Sequence, residues 1–137
     1  MTLTPEQEKV IRHRFETNSF AKHLGFELEI VEPAHSRLSV DVTPELLQLA
    51  GVMHGGAIAS LIDTAVAFAI AGSAEVDSRF TTVEMKVNYL SAIREGRVTA
   101  DARVIRDGRR IIVGEADVFD FRGRLAAKGL LTYIRLD

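Results

Sequence analysis

At 137 residues the chain suits one domain, with a core that buries roughly two-thirds of its unfolded surface. The 47% hydrophobic and 26% charged content is that of an ordinary globular protein, and a net charge of −2 supplies no basic field for nucleic acid. The absence of cysteine excludes disulfides, thiolate metal sites and a cysteine nucleophile, and agrees with a reducing compartment.

Thr4-Pro5-Glu6-Gln7 predicts a helix start: an N-cap, a proline at the first helical position and a glutamine that closes a capping box. The helix runs to about Thr17 with a thin apolar stripe of Val10, Ile11 and Phe15. Its dense charge leaves no apolar core for a signal peptide, so a cytoplasmic protein is expected. A short turn over 20–24 ends at Gly25, a helix-terminating glycine. From Phe26 the period becomes two: Phe26, Leu28 and Ile30 alternate with Glu27, Glu29 and Val31 as a half-buried strand. Pro33-Ala34-His35-Ser36 is the predicted turn, and Leu38, Val40 and Val42 mark the returning strand, which Pro44 ends.

An irregular stretch over 45–50 leads into Gly51-Val52-Met53-His54-Gly55-Gly56-Ala57, which opens a helix over 55–72 that is apolar nearly all round and therefore buried on most sides. Its run 57–71 is shorter than the ~20 residues that cross a bilayer, and it contains a charge, Asp63, so no membrane association is expected. A glycine pair at a helix start leaves bare N–H groups at the positive end, ready for an oxyanion, although the same pair also permits close packing. A carboxylate inside a greasy helix has a partner or a task. Asp63 is then either paired with an arginine or a cap across an interface, or a nucleophile or general base against a carbonyl.

Four strand-like runs follow, 79–90, 97–106, 110–120 and 124–136, with short connections of which Asp107-Gly108 is the best tight-turn signal. The order of helix, two strands, long buried helix and four strands predicts an α+β fold: one antiparallel sheet of about six strands wrapped around a central helix. The whole chain, 1–137, reads as one domain, with 1–19 as an N-terminal helical extension.

This order, together with Gly51-x-x-His54-Gly55-Gly56 and Asp63 nine residues after the histidine, resembles the hotdog-fold acyl-CoA thioesterases. The phenylacetate-pathway (PaaI-like) type within the 4-hydroxybenzoyl-CoA thioesterase superfamily is the best match, and the resemblance covers most of the chain from about Phe20 to Leu136. It implies hydrolysis of an acyl-CoA, aromatic or medium-chain acyl groups favoured, with no cofactor because CoA is part of the substrate. It also implies that the N–H of Gly55 polarises the thioester carbonyl, beside Gly56. His54 takes a supporting place at the turn, where its other reading is a capping histidine. Gln48 stands where relatives carry an asparagine that orients the attacking water, and is otherwise a solvated loop residue. Thr81 and Thr82 point to opposite faces, and the resemblance selects Thr82, where plain strand propensity is the alternative. Arg109 and Arg110, beside Arg94 and Arg106, match a basic turn near the CoA nucleotide, with guanidinium forks suited to phosphate, or else form a solvated edge. Ser91 is a weaker CoA contact. Ile58, Leu61 and Ile62 are expected to line an acyl pocket walled by the long helix and its partner. The other histidines, His13, His23 and His35, lack ligand spacing to His54, so no metal is expected.

At 1.5 Å per residue, Asp63 lies about 12 Å along the helix from Gly55, so one carbonyl cannot touch both in the same chain. A two-fold pairing resolves this, with Gly55 of one subunit facing Asp63 of its partner. A homodimer is the expected minimum, and the resemblance implies a dimer-of-dimers tetramer. Two other functions fit the same fold: a non-catalytic acyl-CoA sensor, and a hydratase or dehydratase of acyl thioesters.

Overall fold

A computed structural model describes residues 2–75 and 77–136; Met1, Val76 and Asp137 lie outside the described residues. Helix α1 (Pro5–Glu16) starts in the expected capping box, with Thr4 Oγ1 accepting the Gln7 N–H at 3.1 Å and Gln7 Oε1 accepting the Thr4 N–H at 2.8 Å. Ile11 and Phe15 are its buried face. Helix α2 (Ser19–Leu24) is capped by Asn18 and stopped by Gly25, whose φ of 83° is left-handed.

Strands β1 (Glu27–Glu32) and β2 (His35–Asp41) form a hairpin around two residues, Pro33 and Ala34. His35 and Ser36 therefore belong to β2, paired with Glu32 and Val31, rather than to the turn. The tight turn is possible because Ala34 takes φ 63°, a value normally left to glycine, so the sequence carries no marker for it. A bulge between Leu28 and Ile30 slips the alternation, and Val31, expected on the outer face, is buried instead. A single 3-10 turn, Pro44–Leu46, leads to the glycine segment and to α3 (Gly55–Ala71).

The remaining strands are β3 (Phe80–Tyr89), β4 (Arg97–Asp107), β5 (Ile111–Phe119) and β6 (Leu125–Arg135). The β4–β5 connection is looser than Asp-Gly suggested: Asp107 ends β4 opposite Ile112, and the chain reverses through 108–110. Gly108 is needed for space rather than for positive φ, since a Cβ there would lie 2.5 Å from the Ile111 carbonyl oxygen.

All pairings are antiparallel, in the order β1-β2-β4-β5-β6-β3, so the strands form the single six-stranded antiparallel sheet that the element order predicts. The sheet curls around α3, whose Leu61, Ile62, Ala65, Val66 and Ile70 are sealed against it. Glycines in the strands let the helix approach: a Cβ on Gly114 would sit 2.6 Å from Val66 Cγ1, and one on Gly129 2.7 Å from Ile62 Cγ2. On another side of α3, Phe68 meets Phe15 of α1 edge to face at 5.2 Å. No helix among the described residues is long and apolar enough to cross a membrane.

The two edges of the sheet differ. Edge strand β1 has six residues and a bulge, and its carbonyls at Leu28 and Glu29 are taken by the Arg12 guanidinium at 2.8 and 3.1 Å. Edge strand β3 has ten residues, and Val83, Met85 and Tyr89 on it are exposed. By the rules that keep sheet edges from pairing, β1 is guarded and β3 is open.

Candidate functional site

The loop before α3 is held from both sides. The Met53 N–H reaches the Ile93 carbonyl at 2.6 Å, the His54 N–H reaches the Leu46 carbonyl at 2.7 Å, and Gly51 turns the chain at φ 80°. His54 caps the helix, its Nδ1 accepting the Gly56 N–H at 2.8 Å. Because Nδ1 is the acceptor, the ring proton sits on Nε2. The N–H of Gly55, at the positive end of α3, has no partner among the described residues, while its carbonyl accepts the Tyr89 hydroxyl at 2.8 Å. Gln48 borders the same open depression of about 660 Å³ as His54, together with Pro44, Leu47 and Leu49. Its Oε1 accepts the Ala50 N–H at 2.5 Å, which leaves its amide NH₂ as the free donor.

Asp63 lies elsewhere, in a concavity of about 210 Å³ bordered by Asn18, Thr64, Ala67, Phe68, Phe80, Thr81, Thr82 and Tyr133. Thr82 Oγ1 donates to Asp63 Oδ1 at 2.7 Å, and the Tyr133 hydroxyl reaches the same oxygen at 2.5 Å. Asp63 Oδ2 has no partner among the described residues. Thr82 is thus the threonine that faces the carboxylate; Thr81 is exposed and only borders the concavity. Burial, then the nearby Asp63 charge, pushes the Tyr133 phenol well above the usual tyrosine range, so it remains a proton donor.

Asp63 and His54, the residue before Gly55, border different concavities, in line with the helical spacing between Gly55 and Asp63. Strand β3 links them: Thr82 near its start touches Asp63, and Tyr89 at its end touches Gly55. Ser91 follows Tyr89, tied through its N–H to the Ala126 carbonyl at 3.1 Å, and so lies at the Gly55 end. Arg109 and Arg110 lie at the Asp63 end, since Thr82, Tyr133 and Ile112 share one row of the sheet and Arg110 is two residues beyond Ile112. Both arginines are exposed, and their side chains make no ion pair among the described residues. Ile58, Leu61 and Ile62 are not brought to the Asp63 concavity: their exposures are 3%, 0% and 0%, and they fill the helix–sheet core. Another concavity, about 600 Å³ between α1 and the C-terminal end of α3, contains none of the candidate chemistry. Among the described residues no group of three or more His, Asp or Glu is placed to hold a metal ion.

The thioesterase superfamily profile matches residues 50–127, a span that takes in the glycine segment, Asp63 and Thr82. A Saccharolobus solfataricus protein, named only provisionally as an esterase, is 33% identical over 111 residues, covering 81% of this chain and 73% of its own length. The chain belongs to the thioesterase superfamily. Within that superfamily it is 28% identical over 130 residues to the medium/long-chain acyl-CoA thioesterase YigI of Salmonella typhimurium, with 84% of each chain covered. Its fold is that of the Escherichia coli PaaI protein from the phenylacetic acid degradation operon, at a TM-score of 0.88 and 21% identity, covering 96% of this chain and 94% of that one. It is therefore a hotdog-fold protein of the thioester-hydrolase class, as the resemblance implies.

Tyr133 was not among the residues expected at the site. A tyrosine in an alternating strand reads as ordinary β propensity, and only the β3–β6 register, which sets Thr82 opposite Tyr133, brings it to the carboxylate.

Proposed function

We propose that the protein hydrolyses an acyl-CoA to the free acid and CoA at sites shared between two protomers. The observation that carries this reading is the layout along β3, an open edge strand with Asp63 held at one end and the unpartnered N–H of Gly55 at the other. Antiparallel pairing of β3 with its two-fold copy, centred near Met85, sets the Thr82 end of one protomer beside the Tyr89 end of the other. Each composite site then contains one Gly55 and one Asp63. The Gly55 N–H, reinforced by the α3 dipole, stabilises the oxyanion as the carbonyl carbon is attacked. Asp63 of the other protomer takes a proton from the attacking water, or attacks directly to give a mixed anhydride that water then hydrolyses to the free acid and Asp63. In either case the C–S bond breaks and CoA leaves as the thiolate.

His54 holds the helix N-terminus in shape, and the free amide donor of Gln48 faces the same depression. Arg109 and Arg110 offer unpaired guanidinium groups for the nucleotide phosphates, with Ser91 a further contact. Association into dimers of dimers and a cytoplasmic setting belong to the same proposal. The acyl range to test spans aromatic, medium and long chains, since YigI is named for the latter two.

Thiol release from an acyl-CoA panel tests the activity, with Asp63→Asn as control and an expected loss of at least about a hundredfold in kcat. Mixing Asp63→Asn subunits with Gly55→Pro subunits tests the sharing. Random re-pairing leaves roughly a quarter of all sites intact, so activity should return to about that fraction. Tight binding without thiol release would instead indicate a sensor, and hydration of a crotonyl thioester a hydratase. Failure of the mixture to regain activity would place each site within one chain.

A further inference from the structure

Tyr133 is 2% exposed, yet its hydroxyl is not spent on the fold. The ring packs edge to face on Phe80 at 5.9 Å, a role that phenylalanine would fill equally well. The hydroxyl points out of the core to Asp63, 2.5 Å from Oδ1 and 2.6 Å from the main-chain carbonyl. It has one proton to give. The carbonyl already lies in the α3 hydrogen-bond ladder, and the carboxylate is the stronger acceptor, so the proton goes to Oδ1. Thr82 supplies the second donor to that same oxygen at 2.7 Å.

Among the described residues no lysine or arginine borders this concavity. The carboxylate is held by two neutral hydroxyls rather than by a cation, an arrangement that orients it while leaving its charge available. Rotation about the terminal bond of an aspartate is broad and roughly two-fold, so without such donors Oδ1 and Oδ2 would exchange freely. With both donors on Oδ1, Oδ2 is the oxygen left for a substrate or a water.

We propose that Tyr133 is a positioning residue for Asp63, acting with Thr82 to occupy Oδ1 and present Oδ2 to the reacting group. The inference rests on the proposed role of Asp63 as nucleophile or general base.

The test is Tyr133→Phe, which keeps the ring and removes only the hydroxyl, measured beside Asp63→Asn and the double variant on one acyl-CoA. Loss of a hydrogen bond to a charged group predicts a kcat lower by roughly tenfold to a hundredfold, with KM within about twofold of wild type. The melting temperature should stay close to wild type. In the Asp63→Asn background, Tyr133→Phe should cost nothing further, because the group it positions has already been removed. A purely structural tyrosine would lower stability, or would cost the same factor in both backgrounds. Replacing Tyr133 with 4-aminophenylalanine restores a weaker donor on the same frame and should bring kcat between the Phe variant and wild type; it also serves if Tyr133→Phe does not fold. Wild-type turnover by Tyr133→Phe, with Asp63→Asn inactive, overturns the positioning role alone. Wild-type turnover by Asp63→Asn overturns the reading on which it rests.

Discussion

Nδ1 of His54 accepts the N–H of Gly56 at 2.8 Å and leaves the N–H of Gly55, one residue earlier, without a partner among the described residues. A helix start has four orphan donors, and this cap satisfies one of them while sparing its neighbour. The side chain of an N-cap reaches the second or third helical N–H but not the first. A capping histidine next to the first glycine therefore keeps the helix end rigid with its foremost donor open to an incoming oxygen.

His54→Ala removes the acceptor and should cost about 1 kcal/mol of stability, read from denaturant midpoints. His54→Asn, a strong N-cap residue, should recover most of that loss. Equal midpoints for His54→Ala and wild type would show that the cap contributes nothing.

Gly114 faces the central helix, where a Cβ would meet Val66 Cγ1 at 2.6 Å. Gly114→Ala should destabilise by about 1–3 kcal/mol through overpacking, with little change in secondary structure. Adding Val66→Ala removes the obstructing methyl, so the double variant should be more stable than the two single losses added together. Simple additivity in urea unfolding would mean that strand and helix part without strain.

Much of this architecture is local and hence readable in the chain. The α1 capping box, the Gly25 stop and the Gly55–Asp63 separation each depend on residues close in sequence. What escaped depends on partners far away. The Leu28/Ile30 bulge is defined only against β2, and the left-handed Ala34 has no residue-type marker. Tyr133 reaches Asp63 only through the β3–β6 register. Ile58, Leu61 and Ile62 lie on a helix that is apolar nearly all round. A helix without a polar face does not reveal in the sequence which side meets the sheet, and in the protomer all three are buried.

Arg12 guards the β1 edge, with Nη1 on the Leu28 carbonyl at 2.8 Å and Nη2 on the Glu29 carbonyl at 3.1 Å, while its Nε holds Glu8 at 2.7 Å. Arg12→Ala should expose that edge at a cost of about 1 kcal/mol in stability and produce species larger than those of the wild type. Light scattering after size-exclusion chromatography would detect them. An unchanged mass distribution would show that the bulge and α1 suffice to block the edge. Lysines at Val83 and Met85 should act in the opposite sense on β3, splitting the proposed β3-paired dimer and abolishing turnover together.

The proposed oxyanion role of Gly55 can be separated from its need for space. Gly55 is the first residue of α3, and His54 before it has φ −61° and ψ 134°, an extended conformation that proline accepts in its predecessor. Proline is at home at the first helical position, where its missing N–H disturbs no helical bond. Gly55→Pro therefore deletes one donor and little else. Alanine and proline alike bring a Cβ to 3.2 Å from the tip of the Tyr89 ring, which must give by a few tenths of an ångström, so Gly55→Ala controls for crowding. Alanine keeps the N–H and should cost no more than a few-fold in kcat. Proline should cost about 10²–10³-fold, the usual toll of losing an oxyanion donor, at a similar melting temperature. Equal turnover by the two variants would assign the oxyanion to some other donor and leave Gly55 as a packing residue beneath Tyr89.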